Sequence, residues 1–298
     1  MEKENVLDSF KIKTSTEIGS IAKIVGEEKA VEYVAKAGFD AWDFSLFNIA
    51  RYDWEKGCVY DTGHILTTSE CLNFARKLRK IGEDNGIICN QSHAPCPSMA
   101  NGIREKLKTA IECTAEAGGK ICIVHPDNNA SAEKNAELYF DLLPFAKECG
   151  VAIAAENMWN WDNVNNKIAF AACSTPADFN AHLDAVNDES FVACLDIGHA
   201  EMRDIGTSAV EMIYALGKRL KALHIHDTDQ RSDNHQVPFS LKIDFDAVIR
   251  ALKDIGYDGY LTLEADQYLS NRCKRTAFLG VKYMAKVARI LADKFNSL

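Results

Sequence analysis

Histidine and acidic residues directly follow a series of short apolar segments in this chain of 298 residues. The residues at these positions are His93, His125, Glu156, Asp196 with His199, His224 with His226, and Glu264. Imidazole and carboxylate groups without thiolate suit zinc, manganese or cobalt and, more loosely, magnesium. The pattern therefore predicts a site for a divalent metal ion.

The apolar segments that precede these residues have the composition of buried parallel strands. They read GIICNQSH, KICIVH, VAIAAE, FVACLD, KALHIH and YLTLE. Such strands are apolar and rich in β-branched residues and do not alternate. Helical patterns separate them, and several of these end in glycine, as helix C-caps do. About eight strand–helix units can be counted, which is the number that closes a barrel. We predict an α/β fold, a (β/α)₈ TIM barrel.

Nothing in the chain marks a domain boundary. It has only 6 prolines and no Gly/Ser tract, low-complexity run or block of like charge. Barrels of this class commonly form one domain of roughly 250 residues. We therefore expect residues 1–298 to form a single TIM-barrel domain.

The composition indicates an ordinary globular protein, with 47% hydrophobic and 26% charged residues. The N-terminus MEKENVLDSF lacks the apolar region of a signal peptide, and no segment reaches the ~18 apolar residues of a membrane span. The 10 cysteines show no CxxC spacing. We expect a protein without a membrane segment, located in the cytoplasm, with free thiols.

The net charge of −9 disfavours nonspecific attraction to nucleic acid. The predicted mouth loops are mostly amide and acid and contain few Lys or Arg residues. DNA binding requires several such residues to neutralise phosphates. We therefore do not expect a nucleic-acid partner.

Strand ends of a TIM barrel converge on one mouth, where active sites lie. Asp196 and His199 have D-x-x-H spacing, which a turn at the strand end could bring over this mouth. Strand alternation places His224 and His226 on one face. We favour the interpretation that one of them is a metal ligand and the other contacts the substrate or packs in the core, over the interpretation that both are ligands. Asp233 and His235 form a D-x-H pair on a loop, which is equally typical of solvated surface.

The motifs SHAP, VHPD, AENM, LDIGHA, LHIHD, DNH and TLEA follow one another in this order. Together they resemble the xylose isomerase-like TIM barrels over essentially the whole chain. That family includes sugar isomerases and epimerases, inosose dehydratases and three-metal apurinic endonucleases. The resemblance implies an enzyme that depends on a divalent metal, and a homo-oligomer, as many members are.

The isomerase and epimerase branch implies one catalytic metal. Its ligands would be Glu156, Asp196, His224 and Glu264, and the two glutamates would also be the catalytic acid and base. His199 would contact the substrate. The metal would be zinc or manganese, with cobalt or magnesium as alternatives.

The endonuclease branch implies additional metals. They would be held by His93, His125, His199, Asp233 and His235, with Glu156 bridging two metals, and the chain has every one of these residues. The ligand residues alone therefore also permit phosphodiester hydrolysis.

The residues around the site favour a small polyhydroxylated substrate. Tryptophans and asparagines share the segment ENMWNWDNVNNK, and aromatic faces and amides suit the C–H surfaces and hydroxyls of sugars. The tryptophans could equally cap the barrel rim. The candidate substrate-binding residues are His199, His226, Arg231 and Trp159. Arg231 could equally be a surface residue paired with a nearby acid.

We therefore predict a metal-dependent isomerase or epimerase that acts on a ketose or related polyol. One glutamate would abstract a proton beside the carbonyl, the metal would stabilise the resulting enediolate, and the other glutamate would return a proton. The alternatives are an inosose-type dehydratase, a three-metal apurinic-endonuclease-like phosphodiesterase, and a barrel that binds a sugar or metal without chemistry.

Overall fold

Strands and helices alternate along the chain in the computed structural model, which describes residues 10–298. The strands of this part are β1 (Lys13–Thr16), β2 (Ala41–Ser45), β3 (Arg51–Asp53), β4 (Cys58–Tyr60), β5 (Ile88–His93), β6 (Ile121–Ile123), β7 (Ala152–Glu156), β8 (Asn160–Asp162), β9 (Lys167–Ala169), β10 (Phe191–Asp196), β11 (Leu220–His224) and β12 (Tyr260–Leu263). The helices are α1 (Gly19–Val25), α2 (Glu27–Ala37), α3 (Cys71–Asp84), α4 (Ile103–Glu116), α5 (Ala132–Glu148), α6 (Pro176–Val186), α7 (Ile197–Ala200), α8 (Ala209–Leu216), α9 (Phe245–Asp254) and α10 (Ala277–Ser297).

Eight of these strands close into a parallel ring. Strands β2, β5, β6, β7, β10 and β11 are hydrogen-bonded in this order, and β1 pairs with β12. Parallel bridges from Glu17 to Asp43 and from Ile225 to Leu263 join the two sheets. The predicted (β/α)₈ TIM barrel is confirmed. The prediction of one domain over residues 1–298 includes residues 1–9, which lie outside the described residues, and stays a prediction.

The helix ends follow signals that can be read in the sequence. Glycines at positions 38, 86, 150 and 256 follow α2, α3, α5 and α9 with φ between 64° and 102°, a left-handed backbone that favours glycine. At the other end of a helix, the Thr175 hydroxyl accepts a hydrogen bond of 3.3 Å from the Asp178 N–H, which caps α6. These caps turn the chain back towards the barrel for each new strand.

The barrel interior has an apolar side and a polar side. Ile123, Ala154, Val192, Cys194 and Ala222 pack together in an apolar group inside the barrel. On the polar side, the buried residues are Ser15, Asn90, Gln91 and Thr262, and they are hydrogen-bonded to one another. TIM-barrel interiors are usually filled by branched apolar side chains, so this polar side is unusual.

Two mouth segments that the sequence indicates only as loops contain antiparallel hairpins. Strands β3 and β4 pair across residues 51–60, and β8 and β9 pair across residues 160–169. Each of these four strands has only three residues, which are too few for a periodic pattern to be recognised in the sequence. The tight turns use a positive φ at Gly57 and Asn166.

Within residues 10–298, the structure contains no helix with both the length and the apolar character that crossing a membrane requires. The cytoplasmic location stays a prediction. All 10 cysteines are free, as the sequence predicts.

Candidate metal centre

The carboxyl ends of four barrel strands bring the predicted catalytic metal ligands together. Glu156, Asp196 and His224 are the last residues of β7, β10 and β11, and Glu264 directly follows β12. One ligand atom of each lies within 4.8 Å of the ligand atoms of the others. All four side chains are buried. We call these four residues the central cluster.

His224 lies between the two glutamates of the central cluster. Its Nδ1 is 2.9 Å from Glu156 Oε1 and 3.4 Å from Glu264 Oε2. Cys194 lies close to the same groups, but burial raises the pKa of its thiol to about 12, so it stays a neutral thiol at physiological pH. The ionisable ligand groups here are imidazole and carboxylate, the set expected for a borderline or hard divalent cation.

His93 and His125 form a pair on one side of the central cluster. His93 ends β5 and His125 follows β6, and their Nε2 atoms are 2.6 Å apart. Glu156 Oε2 lies 3.0 Å from His125 Nε2 and 3.4 Å from His93 Nε2. Two imidazoles and a carboxylate therefore converge on one point. We call His93 and His125 the histidine pair.

His199, His226, Asp233 and His235 form a second group with ligand atoms within 4.8 Å of one another, which we call the outer cluster. Asp233 binds His235 Nε2 at 3.1 Å and lies 3.5 Å from His199 Nε2. The rings of His226 and His235 stack with centroids 4.0 Å apart. His226 Nε2 lies 3.0 Å from Asp196 Oδ1, which connects the outer cluster to the central cluster.

The segment DIGHA forms one helical turn that positions both clusters. Asp196 caps α7, because its Oδ1 accepts a hydrogen bond of 2.7 Å from the His199 N–H. Gly198 lies under the His226 ring, and a Cβ atom at this position would overlap that ring. The D-x-x-H spacing thus places both side chains over the mouth.

Asn157 holds this turn in place. Its side chain accepts a hydrogen bond of 2.7 Å from the Asp196 N–H and donates one of 2.9 Å to the Asp196 carbonyl. Its own carbonyl lies 2.9 Å from His199 Nδ1, so Nδ1 donates and Nε2 faces Asp233. From the sequence, Asn157 is predicted only as one of several amide side chains in a loop at the barrel mouth. Its role in the turn depends on contacts 39 and 42 residues along the chain.

The two glutamates of the central cluster have opposite proton affinities. Burial by itself raises the pKa of Glu156, but His224 and His125 hold that pKa well below its usual range. Burial raises the pKa of Glu264 to about 8, although His224 and His235 oppose this. The surroundings thus favour the ionised form of Glu156 and the protonated form of Glu264. Environments that separate the pKa values of two carboxyl groups are typical of acid–base pairs.

The clusters favour positive charge and fit a divalent cation. Within residues 10–298, the buried Asp196 Oδ2 has no hydrogen-bond partner. Against the effect of burial, the surrounding carboxylates help to raise the pKa values of His125 and His199 each to about 10. A cation would replace these protons and satisfy the free carboxylate oxygen.

A cavity of about 540 Å³ opens beside the central cluster, with Glu264 in its wall. Glu17, Arg51, Cys96 and Asp266 also line it. This volume lies within the ~300–1,000 Å³ typical of small-molecule sites. Glu17 is not among the predicted site residues, although it follows the first strand as the other acids follow theirs. Cys96 is not among them either, because a single cysteine carries no spacing signal.

Glu17 should make the protein less stable as the pH rises. Burial, with a contribution from Asp43, raises the pKa of Glu17 from 4.5 to about 7. Because the folded protein binds this proton more tightly than the unfolded chain, its stabilising contribution is complete below pH 4.5 and is lost as the pH rises through 7. Between pH 4.5 and 8 we expect the free energy of unfolding of the wild type to fall by about 3 kcal/mol more than that of Glu17→Gln. Urea unfolding of both proteins at the two pH values measures this, and an equal change in both would contradict it.

Trp159 and Arg231 lie outside the lining of this cavity. Trp159 is half-buried and packs against Ile168. Arg231 is exposed and lines a separate crevice of about 550 Å³ together with Lys167 and Arg203. The sequence showed no basic track because these three cations are far apart in the chain. We call Lys167, Arg203 and Arg231 the basic crevice.

Comparisons with known proteins agree with this architecture. An uncharacterized protein from Methanocaldococcus jannaschii is 25% identical over 253 residues, which cover 79% of this chain and 78% of that protein. The fructoselysine 3-epimerase of Escherichia coli O157:H7 is 43% identical over 49 residues, which cover 16% of this chain and 18% of that protein. A crystal structure of D-psicose 3-epimerase in the presence of D-fructose matches with a TM-score of 0.68 and 16% identity, covering 94% of this chain and 99% of that chain.

A family model described as xylose isomerase-like TIM barrel matches residues 31–277. This range contains the histidine pair, the central cluster and the outer cluster. It also extends over seven of the eight barrel strands. With the closed parallel barrel and the candidate metal ligands at its mouth, this match shows that the chain belongs to the xylose isomerase-like TIM barrel family.

Proposed function

We propose that the protein is a divalent-metal-dependent sugar isomerase or epimerase. The observation that carries the proposal is the buried pair Glu156 and Glu264, which share one cluster with Asp196 and His224 at the barrel mouth. The names of two similar proteins, fructoselysine 3-epimerase and D-psicose 3-epimerase, support a sugar substrate.

In this proposal Glu156, Asp196, His224 and Glu264 hold the catalytic metal. A divalent ion held there would polarise a substrate carbonyl as a Lewis acid and so acidify the neighbouring C–H group. The ligand set suits zinc or manganese, with cobalt or magnesium as alternatives.

The two glutamates move the protons. Glu156 as a carboxylate would accept the proton from the carbon beside the carbonyl, and the electron pair of that C–H bond would move towards the carbonyl oxygen to give an enediolate. Glu264 would return a proton to carbon. Delivery to the opposite face of the same carbon gives an epimer, and delivery to the neighbouring carbon gives an aldose–ketose isomer. A positioned acid or base of this kind contributes about 10²–10⁴-fold to the rate.

Other residues would position the substrate in the cavity. His199 and His226 lie against Asp196 and would hydrogen-bond substrate oxygens. Trp159 and Arg231 lie farther out and would contact only a substrate that extends beyond the cavity. We also propose a homo-oligomer, on the resemblance to family members alone.

Hydrogen exchange with solvent tests the proposed reaction. The protein loaded with Mn²⁺ or Zn²⁺ is incubated with D-fructose, D-psicose or D-tagatose in D₂O and followed by NMR. We expect a second sugar to form and to carry deuterium at the carbon that reacts. Loss of water from an inosose would instead indicate a dehydratase. If no ketose gave either exchange or a product, the proposal would be contradicted.

A second candidate, phosphodiester hydrolysis at several metal ions, is favoured by two specific observations. The histidine pair and the outer cluster flank the central cluster, so the mouth offers three adjacent groups of ligands. The basic crevice places three cationic side chains around one depression, and Lys167 and Arg231 could contact phosphate groups there, whereas Arg203 is paired with Asp204 in the same wall. Metal content separates the two candidates.

A further inference from the structure

Asp43 is a fully buried carboxylate on the barrel strand β2, and no strand-end signal in the sequence marks it. Strand alternation directs Trp42 and Phe44 into the apolar layer between sheet and helices and Asp43 into the barrel. There Asp43 Oδ2 lies 3.3 Å from His224 Nε2. It therefore lies behind the imidazole, on the side opposite the glutamates.

The orientation of Asp43 is set by a chain of buried hydrogen bonds. Gln91 Nε2 donates to Asp43 Oδ2 at 2.8 Å, and Gln91 Oε1 accepts from Asn90 Nδ2 at 3.1 Å. Asn90 in turn accepts a hydrogen bond of 2.6 Å from the Ser15 hydroxyl. These contacts fix which end of the Gln91 amide faces Asp43. Asp43 Oδ2 is thus held as an acceptor towards His224.

An acceptor at Nε2 determines which nitrogen of His224 can bind a metal. A histidine whose Nε2–H is bound to a carboxylate presents the lone pair of Nδ1. In this structure Nδ1 faces Glu156 and Glu264. The contact therefore selects the tautomer that the central cluster needs and makes Nδ1 a stronger ligand.

We infer that Asp43 is a positioning residue that holds His224 as an Nδ1 metal ligand. This inference rests on the proposed metal site. A purely structural role explains Asp43 less well, because its Oδ1 is buried and has no hydrogen-bond partner within residues 10–298. A buried carboxylate with an unpartnered oxygen lowers the stability of the fold. Its negative charge, however, makes the neighbouring histidine bind a metal more strongly.

Metal binding by Asp43→Asn tests the inference without an activity assay. Asparagine keeps the size of the side chain and removes its charge. We expect the Kd for Co²⁺, measured by equilibrium dialysis, to rise about 10–100-fold, and the absorption spectrum of bound Co²⁺ to change. The Tm of the metal-free protein should be unchanged or higher. A structural role would instead lower the Tm and leave the Kd unchanged, and that result would overturn the inference.

Two further variants keep the test decisive. Gln91→Met removes one partner of Asp43 and should raise the Kd by a smaller factor, which gives a second test if Asp43→Asn does not fold. Asp40→Asn is the matched control, because Asp40 binds Thr14 and Arg289 near the amino end of β2. It should lower the Tm and leave the Kd unchanged. If the wild type itself binds no Co²⁺, the proposed metal site fails; if it binds and Asp43→Asn binds equally well, only the inference about Asp43 fails.

Discussion

Replacing Glu264 by glutamine should lower kcat by about 10²–10⁴-fold while the barrel stays folded. Glutamine keeps an oxygen that can face a metal but cannot donate a proton to carbon. Glu264 is the carboxyl group whose pKa is raised to about 8, and it lies at the mouth and not in the apolar core. Glu156→Gln should have an effect of similar size, because an amide cannot accept the substrate proton. Rates of metal-loaded protein, together with circular dichroism, measure both effects.

Glu27→Gln is the matched control for these two variants. Glu27 lines the same cavity but binds His64 at 2.9 Å and contacts no residue of the central cluster among the contacts of residues 10–298. It should keep kcat within a small factor of the wild-type value. A fully active Glu264→Gln enzyme would rule out the scheme with two glutamates.

Metal content should be near one tightly bound ion per chain, and His224→Gln should lose it. His224 supplies the imidazole of the central cluster, and its removal leaves three carboxyl groups crowded in a buried site. Mass spectrometry of the purified proteins measures the atoms of metal per chain. Removal of the ion by a chelator should abolish turnover, and added Mn²⁺ or Zn²⁺ should restore it.

His182→Gln is the control for metal loss. His182 is equally buried but binds Asn135 and the Asp178 carbonyl on the helical layer. This variant should keep the full metal content. A wild-type value approaching three ions, mostly zinc, would mean that the histidine pair and the outer cluster are also occupied. That result would place phosphodiester hydrolysis above sugar isomerisation.

The strands and the helix ends could be predicted because they depend on local signals. Apolar segments such as FVACLD and helix-ending glycines such as Gly38 and Gly150 act through their own backbone and near neighbours. The two hairpins could not be predicted, since three-residue strands form only where a partner segment folds against them. The ordered motifs also resemble those of one family, and the family model confirms that the chain belongs to it.

The barrel and the residue types at its mouth could be predicted from the sequence alone. Parallel strands of a closed barrel end at one rim, so a His or an acid after each strand must lie near the others. Which atoms contact one another depends on the tertiary structure. Residues far apart in the chain form the 2.6 Å contact between His93 and His125 and the contact of Asp43 with His224. The same is true of the three cations that line the basic crevice. The different proton affinities of Glu156 and Glu264 likewise arise from burial and from neighbours on other strands. A pKa depends on solvation and on nearby charge, and the order of residues along the chain does not specify either of them.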